Sequence, residues 1–429
     1  MKTFSVFWFR RDIRIEDNFG LSQASKSKYP VIPIFIFDEN ITVHLPKNDT
    51  RINFIHKNLK KLDDLLVEKF NSRLQVFKGN PAEIIDNIVN EYNIKEVYTN
   101  HDYEPYAIKR DNIIYNNLKN KKIPFYTFKD QVIFEKNEVL KDNGSPYVVF
   151  TPYMRKWKET LKKNYLILEK NELYNNFHKL DEFNLKEISE YGFKKNLSEV
   201  LYFDVSKKII EEYEKKRNFP SLNSTSKIGP FLRFGVISIR SLVKYVLKFN
   251  NEIFLNELIW REFFMQILFH FPNSSTSSFK SKYDKIKWVN DKNMFEAWKN
   301  GKTGFPIVDA GMNELNKTGF MHNRVRMITS SFLCKQLLID WRWGEKYFAL
   351  KLNDYEMSSN VGNWQWASGS GVDAAPYFRI FNPHTQIEKF DKNYDYINNW
   401  IDLKNNYPKE IINHKEAREN CLKTYKMYV

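Results

Sequence analysis

FSVFWFRRDIRIEDN, residues 4–18, opens on a short apolar run and closes on charge. The run Phe4 to Phe9 predicts a buried strand, which Arg10, Arg11 and Asp12 end. Working outward, Val31 to Phe37 reads as a second strand, and Ile52 to Phe70 has helical spacing with a charged face. Leu74 to Phe77, a helix at Pro81 to Tyr92, Glu96 to Tyr98 and a further helix follow. Strands alternating with helices argue for an α/β domain built on a parallel sheet over residues 1–130. No GxGxxG or P-loop follows any of these strands, so no standard dinucleotide site is signalled there.

Residues 131–200 are polar and irregular and read as a long inter-domain connection carrying short helices. From 201 to 429 the pattern is helical almost throughout: Ile209 to Lys216, Ile239 to Phe249, Glu252 to Phe269, Val308 to Leu315, Asn323 to Ile339 and Lys346 to Tyr355. No internal repeat or low-complexity tail interrupts it.

The chain has 429 residues and a formal charge of +15, of which residues 1–130 carry +4. The basic excess favours polyanionic partners, nucleic acid or an anionic membrane, although a Lys- and Asn-rich composition needs no partner at all. Only two cysteines occur, Cys334 and Cys421, without a disulfide or zinc pattern around them. That suits a reducing cytosol. The N-terminal apolar run is too short for a signal peptide, and no stretch reaches the roughly 20 apolar residues a spanning helix needs. A soluble, cytoplasmic protein is expected.

The second informative stretch is NVGNWQWASGSGVDAAPYFRIFNP, residues 360–383. Trp364 and Trp366 stand two apart, so on a helix they point to different sides. The small residues Ala367 to Gly371 leave room for a large group. A buried planar cofactor on one side and a planar substrate on the other would explain the arrangement. Seven of the ten tryptophans fall between 260 and 366, a density that favours a functional aromatic site.

Glu257, Trp260 and Arg261 lie at i, i+3 and i+4 and share one helix face, while Leu258, Phe263 and Ile267 supply a core face opposite. An acid, an indole and a guanidinium suit a polar, stackable ligand; an exposed ion pair on an amphipathic helix has the same spacing. Asn323 and Met327 repeat the pattern between Arg324 and Arg326. An amide can read a pyrimidine edge, and a thioether packs softly against rings. Thr225 to Pro230 is a hydroxyl-bearing turn before a helix, which suits a phosphate or an ordinary cap. Gly301, Lys302 and Thr303 only imitate the end of a Walker A loop, because Glu296 stands where Gly is required. The eight histidines show no metal-ligand spacing.

Together these segments resemble the photolyase/cryptochrome family. FWFRRDIRIEDN resembles its first strand and turn, and FTPYMRKW at 150–157 its inter-domain segment. Tyr213, TSKIGPFLRFGVIS, NELIWREFF, GKTGFPIVDAGM, GFMHNRVRMITSSFL, DWRWGEKYF and residues 360–383 follow in family order, over nearly the whole chain. The chain ends at Val429 without the tail that many cryptochromes carry.

The resemblance implies an N-terminal Rossmann-like antenna domain and an all-α C-terminal FAD-binding domain. It implies FAD, active as FADH−, and light-driven electron transfer to a cyclobutane pyrimidine dimer in single- or double-stranded DNA. It also implies a monomer. Tyr213 and the turn Thr225, Ser226, Lys227, Ile228 and Gly229 resemble flavin-phosphate contacts. Asp354, expected to pair with Arg326, and the adjacent Tyr355 and Glu356 resemble flavin-pocket positions. Asn360 matches the position facing flavin N5, where Asn is the photolyase choice and Asp or Cys is common in cryptochromes. Glu257 matches the acid that hydrogen-bonds the dimer, Trp260 and Trp366 the indoles that clasp it, and Asn323 and Met327 lesion-pocket residues. Arg217, Arg261, Arg324 and Gln386 fall on the DNA side. Trp364, Trp341 and Trp288 match a three-tryptophan wire that photoreduces FAD; Trp343 and Trp298 lie outside it and read as packing.

Met-His-Asn-Arg in place of a histidine-rich pocket resembles class I enzymes acting on cyclobutane dimers. Ile228-Gly229 stands where Leu-Ser is usual, Tyr355-Glu356 replaces Gly-Asp, and Phe320 replaces a common Trp. Tyr106-Ala107 replaces the Asn-Glu of folate-binding relatives, leaving folate, deazaflavin or no antenna open. A cryptochrome-type receptor and a nucleic-acid-binding module without chemistry are the alternative readings.

Overall fold

Phe4–Phe9 is the central strand, β1, of a five-stranded parallel sheet in a computed structural model that describes residues 2–164, 171–180, 182–196, 199–249 and 251–428. The order is β3-β2-β1-β4-β5, with β2 at Val31–Asp38, β3 at Gln75–Gly79, β4 at Ile94–Asn100 and β5 at Phe125–Phe128. Ser5 pairs with Val31 and Phe9 with Phe35. Side chains alternate across the pleat. Phe7, Phe9, Phe35 and Phe37 enter one core, and Val6, Trp8, Ile34 and Ile36 enter the other. Burial on both faces is why β1 and β2 are apolar without alternation. The edge strand β5 is absent from the sequence reading, because Tyr126 and Thr127 are exposed and give it no apolar signature.

The sheet is crossed by α1 (Phe19–Ser25), α2 (Glu39–Thr42), α3 (Thr50–Phe70), α4 (Pro81–Glu91) and α5 (Pro105–Asn120). Asn18, Asp38, Asp49 and Asn80 cap the first four with side-chain oxygens, and Pro81 and Pro105 open helices whose first N–H has no partner to lose. Chain direction away from β1 reverses between β2 and β4, the topological switch of such sheets. After α6 (Phe150–Lys163) and α7 (Lys207–Lys216) come α8 (Gly229–Arg233) and α9 (Ile239–Val246).

By contacts the chain divides into two units. The first is Met1–Val139, Lys156–Val200 and Ile228–Lys248; the second is Leu140–Arg155, Leu201–Lys227 and Phe249–Val429. A buried ionic knot ties the first unit. Arg14 Nη2 donates to both oxygens of Asp130 at 2.7 and 2.8 Å, while Arg240 reaches Asp130 at 2.8 Å and Asp17 at 3.2 Å. Burial alone would raise the Asp130 carboxyl, but the two guanidiniums hold it below the usual carboxylate range.

The second unit is helical: α10 (Glu252–His270), α11 (Lys292–Lys299), α12 (Pro306–Thr318), α13 (Asn323–Ser331), α14 (Trp341–Lys351), α15 (Met357–Ser368), α16 (Pro383–Phe390), α17 (Asp395–Trp400) and α18 (His414–Tyr428). Trp298, Phe305, Phe332, Trp341, Phe348 and Trp364 form the centre of its core. Two of the differences from the sequence reading bear on the site. The helix expected over Asn323 to Ile339 widens into a π turn at Phe332–Gln336. Before it, Thr329 Oγ1 bonds Val325 O at 3.0 Å and Ser330 Oγ bonds Arg326 O at 2.7 Å, a back-bonding that bends helices. The helix expected from Lys346 starts at Trp341, where Asp340 accepts from the Arg342 N–H at 3.0 Å. Its end at Lys351 leaves Asp354 and Tyr355 outside any helix.

Candidate active site

Helix α10 positions three expected residues. Glu257, Trp260 and Arg261 are all partly exposed on a helix that is otherwise largely buried. Glu257 Oε1 accepts from Arg217 Nη1, and the Arg217 guanidinium lies 5.4 Å from the Tyr213 ring centre. Tyr213 meets Phe254 edge-on at 5.0 Å, and burial, then the Glu257 charge, push its phenol upward. Trp260 stacks face to face on Phe150, centroids 3.7 Å apart and planes 7° apart. One indole face is thereby fixed.

Helix α13 starts on an unusual cap. His322 Nδ1 accepts from the Arg324 N–H at 3.2 Å, which leaves the proton of a neutral ring on Nε2. That Nε2 is buried and has no partner among the described residues. Burial first, then the charges of Arg326, Arg324, Arg217 and Lys227, depress the His322 pKa to about 4. The ring is therefore neutral at physiological pH. Asn323 is exposed and Met327 partly so.

The cations around His322 are unevenly compensated. Arg326 forms the expected pair with Asp354, at 3.2 and 2.9 Å, and Arg217 pairs with Glu257. Arg324 and Lys227 bond only amide oxygens among the described residues, Asn218 and Asn223, each at 2.6 Å. Arg324 Nε is buried without a partner, and its guanidinium lies 4.5 Å from the Phe390 ring. Phe320 is flanked by Lys227 and Arg326, at 6.0 and 5.8 Å. Gln386 lies one turn before Phe390 on α16, so both share a face.

Helices α14 and α15 bring the next group together. Asn360 Nδ2 donates to Glu345 O at 3.1 Å and to Glu345 Oε1 at 2.9 Å. Glu356 caps α15 through the N–H groups of Ser358 and Ser359, and Tyr355 packs against the helical core. Both side chains thus have local structural work in addition to any ligand contact. Trp364 is buried, edge-on to Trp298 at 6.1 Å and to Phe348 at 5.0 Å. Trp341 is buried in the same core and Trp288 packs at its margin, edge-on to Tyr425 at 6.0 Å. Trp366 points elsewhere: it is partly exposed, with the Arg379 guanidinium 5.9 Å from its ring centre. The two indoles therefore do serve different surroundings.

The phosphate turn is less built. Lys227 is in the left-handed region at φ 52° and Ser226 O accepts from Asp204 N at 2.9 Å. Thr225 and Ser226 are partly exposed, Ile228 is buried, and Gly229 opens α8. Thr225 to Lys227 count with the second unit, Ile228 and Gly229 with the first.

Four contributors escaped the sequence reading. His322 was visible only as a letter of MHNR, although its place before Asn323 at a helix start marks a cap. Glu345, Phe150 and Arg379 touch their partners across elements, and no local pattern signals that.

Among the described residues, buried donors without partners, two cations that meet no carboxylate, and half-exposed indoles suit an anionic, aromatic-bearing ligand. The donor set fits the pyrophosphate and ring of a flavin dinucleotide. Residues 254–403 match the family described as the FAD binding domain of DNA photolyase, and residues 5–172 match the DNA photolyase family. The chain is 35% identical to the deoxyribodipyrimidine photo-lyase of Alkalihalophilus pseudofirmus, over 94% of this chain and 88% of that one. A class III photolyase of Agrobacterium tumefaciens superposes with a TM-score of 0.89 at 30% identity, covering 100% and 98% of the two chains. An archaeal photolyase from Sulfolobus tokodaii, solved with two FAD molecules, superposes at 0.85 with 33% identity over 99% of each. The chain belongs to the DNA photolyase family.

Proposed function

We propose that this protein repairs cyclobutane pyrimidine dimers in DNA with light, as a class I enzyme whose working cofactor is FADH−. One observation carries the reading. Arg324 lies in electrostatic range of both Arg217 and Arg379, with Glu257 paired to the first of these and the indole of Trp366 under the second. Cations for phosphates, a carboxylate acceptor and flat apolar faces are what a distorted pyrimidine pair between phosphates requires. Bound reduced flavin would supply the photoexcited electron that opens the cyclobutane ring and would take it back.

The chain's own residues then have separate tasks. Tyr213, the turn Thr225 to Gly229, and Asp354 locked to Arg326 hold the cofactor, with Tyr355 and Glu356 shaping its wall. Asn360 presents its amide oxygen to N5. Glu257 accepts a hydrogen bond from the dimer, Trp260 and Trp366 offer ring faces, and Asn323 and Met327 complete the lesion pocket. Arg217, Arg261, Arg324 and Gln386 contact the DNA strand, so binding weakens with salt. Trp364, Trp341 and Trp288 deliver electrons inward when the flavin is oxidised.

For an antenna, folate, deazaflavin or none stay open: Tyr106, in place of the Asn of folate-binding relatives, donates its hydroxyl to Asp38 at 2.8 Å, and Ala107 is buried. No described helix is long and apolar enough to cross a membrane, and among the described residues no cluster could hold a metal. Buried free thiols at Cys334 and Cys421 support a cytoplasmic location, and a monomer is the simplest form that performs this chemistry.

The test is direct. The purified protein is reduced under blue light and mixed with dimer-containing single-stranded and duplex DNA. Light-dependent loss of dimers supports repair. Bound flavin without repair would move the reading to a cryptochrome-type receptor, and absence of flavin absorbance to a DNA-binding module.

A further inference from the structure

Thr127 on the edge strand β5, His101 just past the end of β4, and Glu135 in the segment after β5 are joined in one run of hydrogen bonds. Glu135 Oε2 lies 2.8 Å from His101 Nδ1, and His101 Nε2 lies 2.9 Å from Thr127 Oγ1. The Tyr103 hydroxyl donates to the same Glu135 Oε2 at 2.5 Å. Burial would raise the Glu135 carboxyl, but the bonds from His101 and Tyr103 and the Lys136 charge hold it below the usual carboxylate range. Ionised, it only accepts, so the proton of a neutral His101 ring sits on Nδ1. Lys136 Nζ stands farther from that nitrogen, at 3.4 Å, than either carboxylate oxygen, at 2.8 and 3.1 Å. The ring's lone pair is then on Nε2, facing the Thr127 hydroxyl. Backbone bonds hold the group in place: the His101 N–H reaches Phe128 O at 2.7 Å, the His101 carbonyl accepts from Gln131 Nε2 at 2.6 Å, and the Glu135 N–H reaches Glu138 Oε2 at 2.7 Å. Thr127 is exposed.

We propose that Thr127 is the nucleophile of a second site, an acyl-transfer site for small activated esters, with His101 as general base and Glu135 positioning the ring. A hydroxyl nucleophile needs these distances and this choice of nitrogens. Thr127 Oγ1 attacks the ester carbonyl carbon while His101 Nε2 takes the hydroxyl proton. The bond to the leaving oxygen breaks, and that oxygen receives the proton from His101. Water then cleaves the acyl-threonine by the same route, so the net products are acid and alcohol. The Thr127 N–H is placed to meet the oxyanion. Val97 N–H bonds Pro124 O and His101 N–H bonds Phe128 O, so the even-numbered residues of β5 face β4 and Thr127 N–H faces the open side. A single backbone donor gives the oxyanion modest help, which is why the ester must carry a good leaving group. None of these side chains has a part in the repair reading, and the two stand or fall separately.

The full-length protein is incubated in the dark with p-nitrophenyl acetate. Nitrophenolate release is followed, and acetyl groups are located by peptide mass spectrometry. Wild type and Thr127→Ser should carry an acetyl group on residue 127. Thr127→Val, of nearly the same shape, should lose that adduct and its share of the release, with flavin occupancy and light-driven repair unchanged. His101→Gln should slow acetylation of Thr127 about 100-fold. Glu135→Gln keeps a hydrogen-bond partner for the ring and loses the charge, so it should lower the maximal rate and leave KM alone. Acetyl groups confined to lysines overturn the proposal, as does acetylation of Thr127 at a rate indifferent to His101 and Glu135. Should the His101 variant not fold, the two Thr127 variants decide, and release as fast from Thr127→Val as from wild type overturns the assignment.

Discussion

Gly344 lies against the indole of Trp364: a Cβ at Gly344 would stand 2.1 Å from Cη2 and 2.4 Å from Cζ3 of that ring. The indole cannot step aside, because Trp298 and Phe348 already meet it edge-on. Gly344→Ala should therefore cost about 1–3 kcal/mol of stability by overpacking. Thermal unfolding measures it, and an unchanged Tm would show that the contact relaxes freely.

Trp288 sits at the margin of the helical core, while Trp364 and Trp341 are inside it. Trp288→Phe keeps the packing and removes the easily oxidised ring. Photoreduction of oxidised FAD should slow, whereas repair by enzyme reduced beforehand should stay near wild type. Equal loss of both activities would remove Trp288 from the wire.

Arg324 carries a charge that no described carboxylate neutralises. Arg324→Ala should weaken binding to damaged and undamaged DNA alike. The slope of log affinity against log salt should fall in magnitude by about 1, the loss of one phosphate contact. Binding titrations at several salt concentrations report the slope, and an unchanged slope would place Arg324 off the backbone.

His322 gives a pH signature. Its folded pKa is depressed to about 4 from 6.5. Above pH 6.5 the ring is neutral both folded and unfolded, and the full stability is present. As pH falls from 6.5 toward 4 the unfolded chain takes up the proton and the folded one does not. Stability should drop by about 3 kcal/mol across that window from this ring. His322→Asn keeps a good cap for α13 and removes the titration. Denaturant titrations of the two proteins should diverge in slope between those pH values; parallel curves would refute the assignment.

The sequence made the sheet legible because β1 and β2 are buried on both faces and must be apolar throughout. It made Glu257, Trp260 and Arg261 legible because one helix carries all three at facing positions. The π turn at Phe332–Gln336 was illegible: the Thr329 and Ser330 that bond back to the carbonyls before it also suit an ordinary helix. Glu345 was illegible for another reason. Its meeting with Asn360 depends on how two helices stand in register, and that is set by Gly344 meeting Trp364. Glu356 shows the same limit, since only the structure reveals that its carboxylate caps α15.

The ionic knot of the first unit has a consequence for how the protein is made. Every strand of the sheet has been translated once Phe128 is added, yet Asp17 waits for Arg240, 223 residues further along. A nascent chain halted before that arginine leaves the ribosome with Asp17 and Asp130 lacking a counter-charge they have when complete. Burying a carboxylate short of its partner is costly, so closing the sheet without that arginine is disfavoured. The charge balance of the sheet's buried rim is thus complete only in a chain that includes α9.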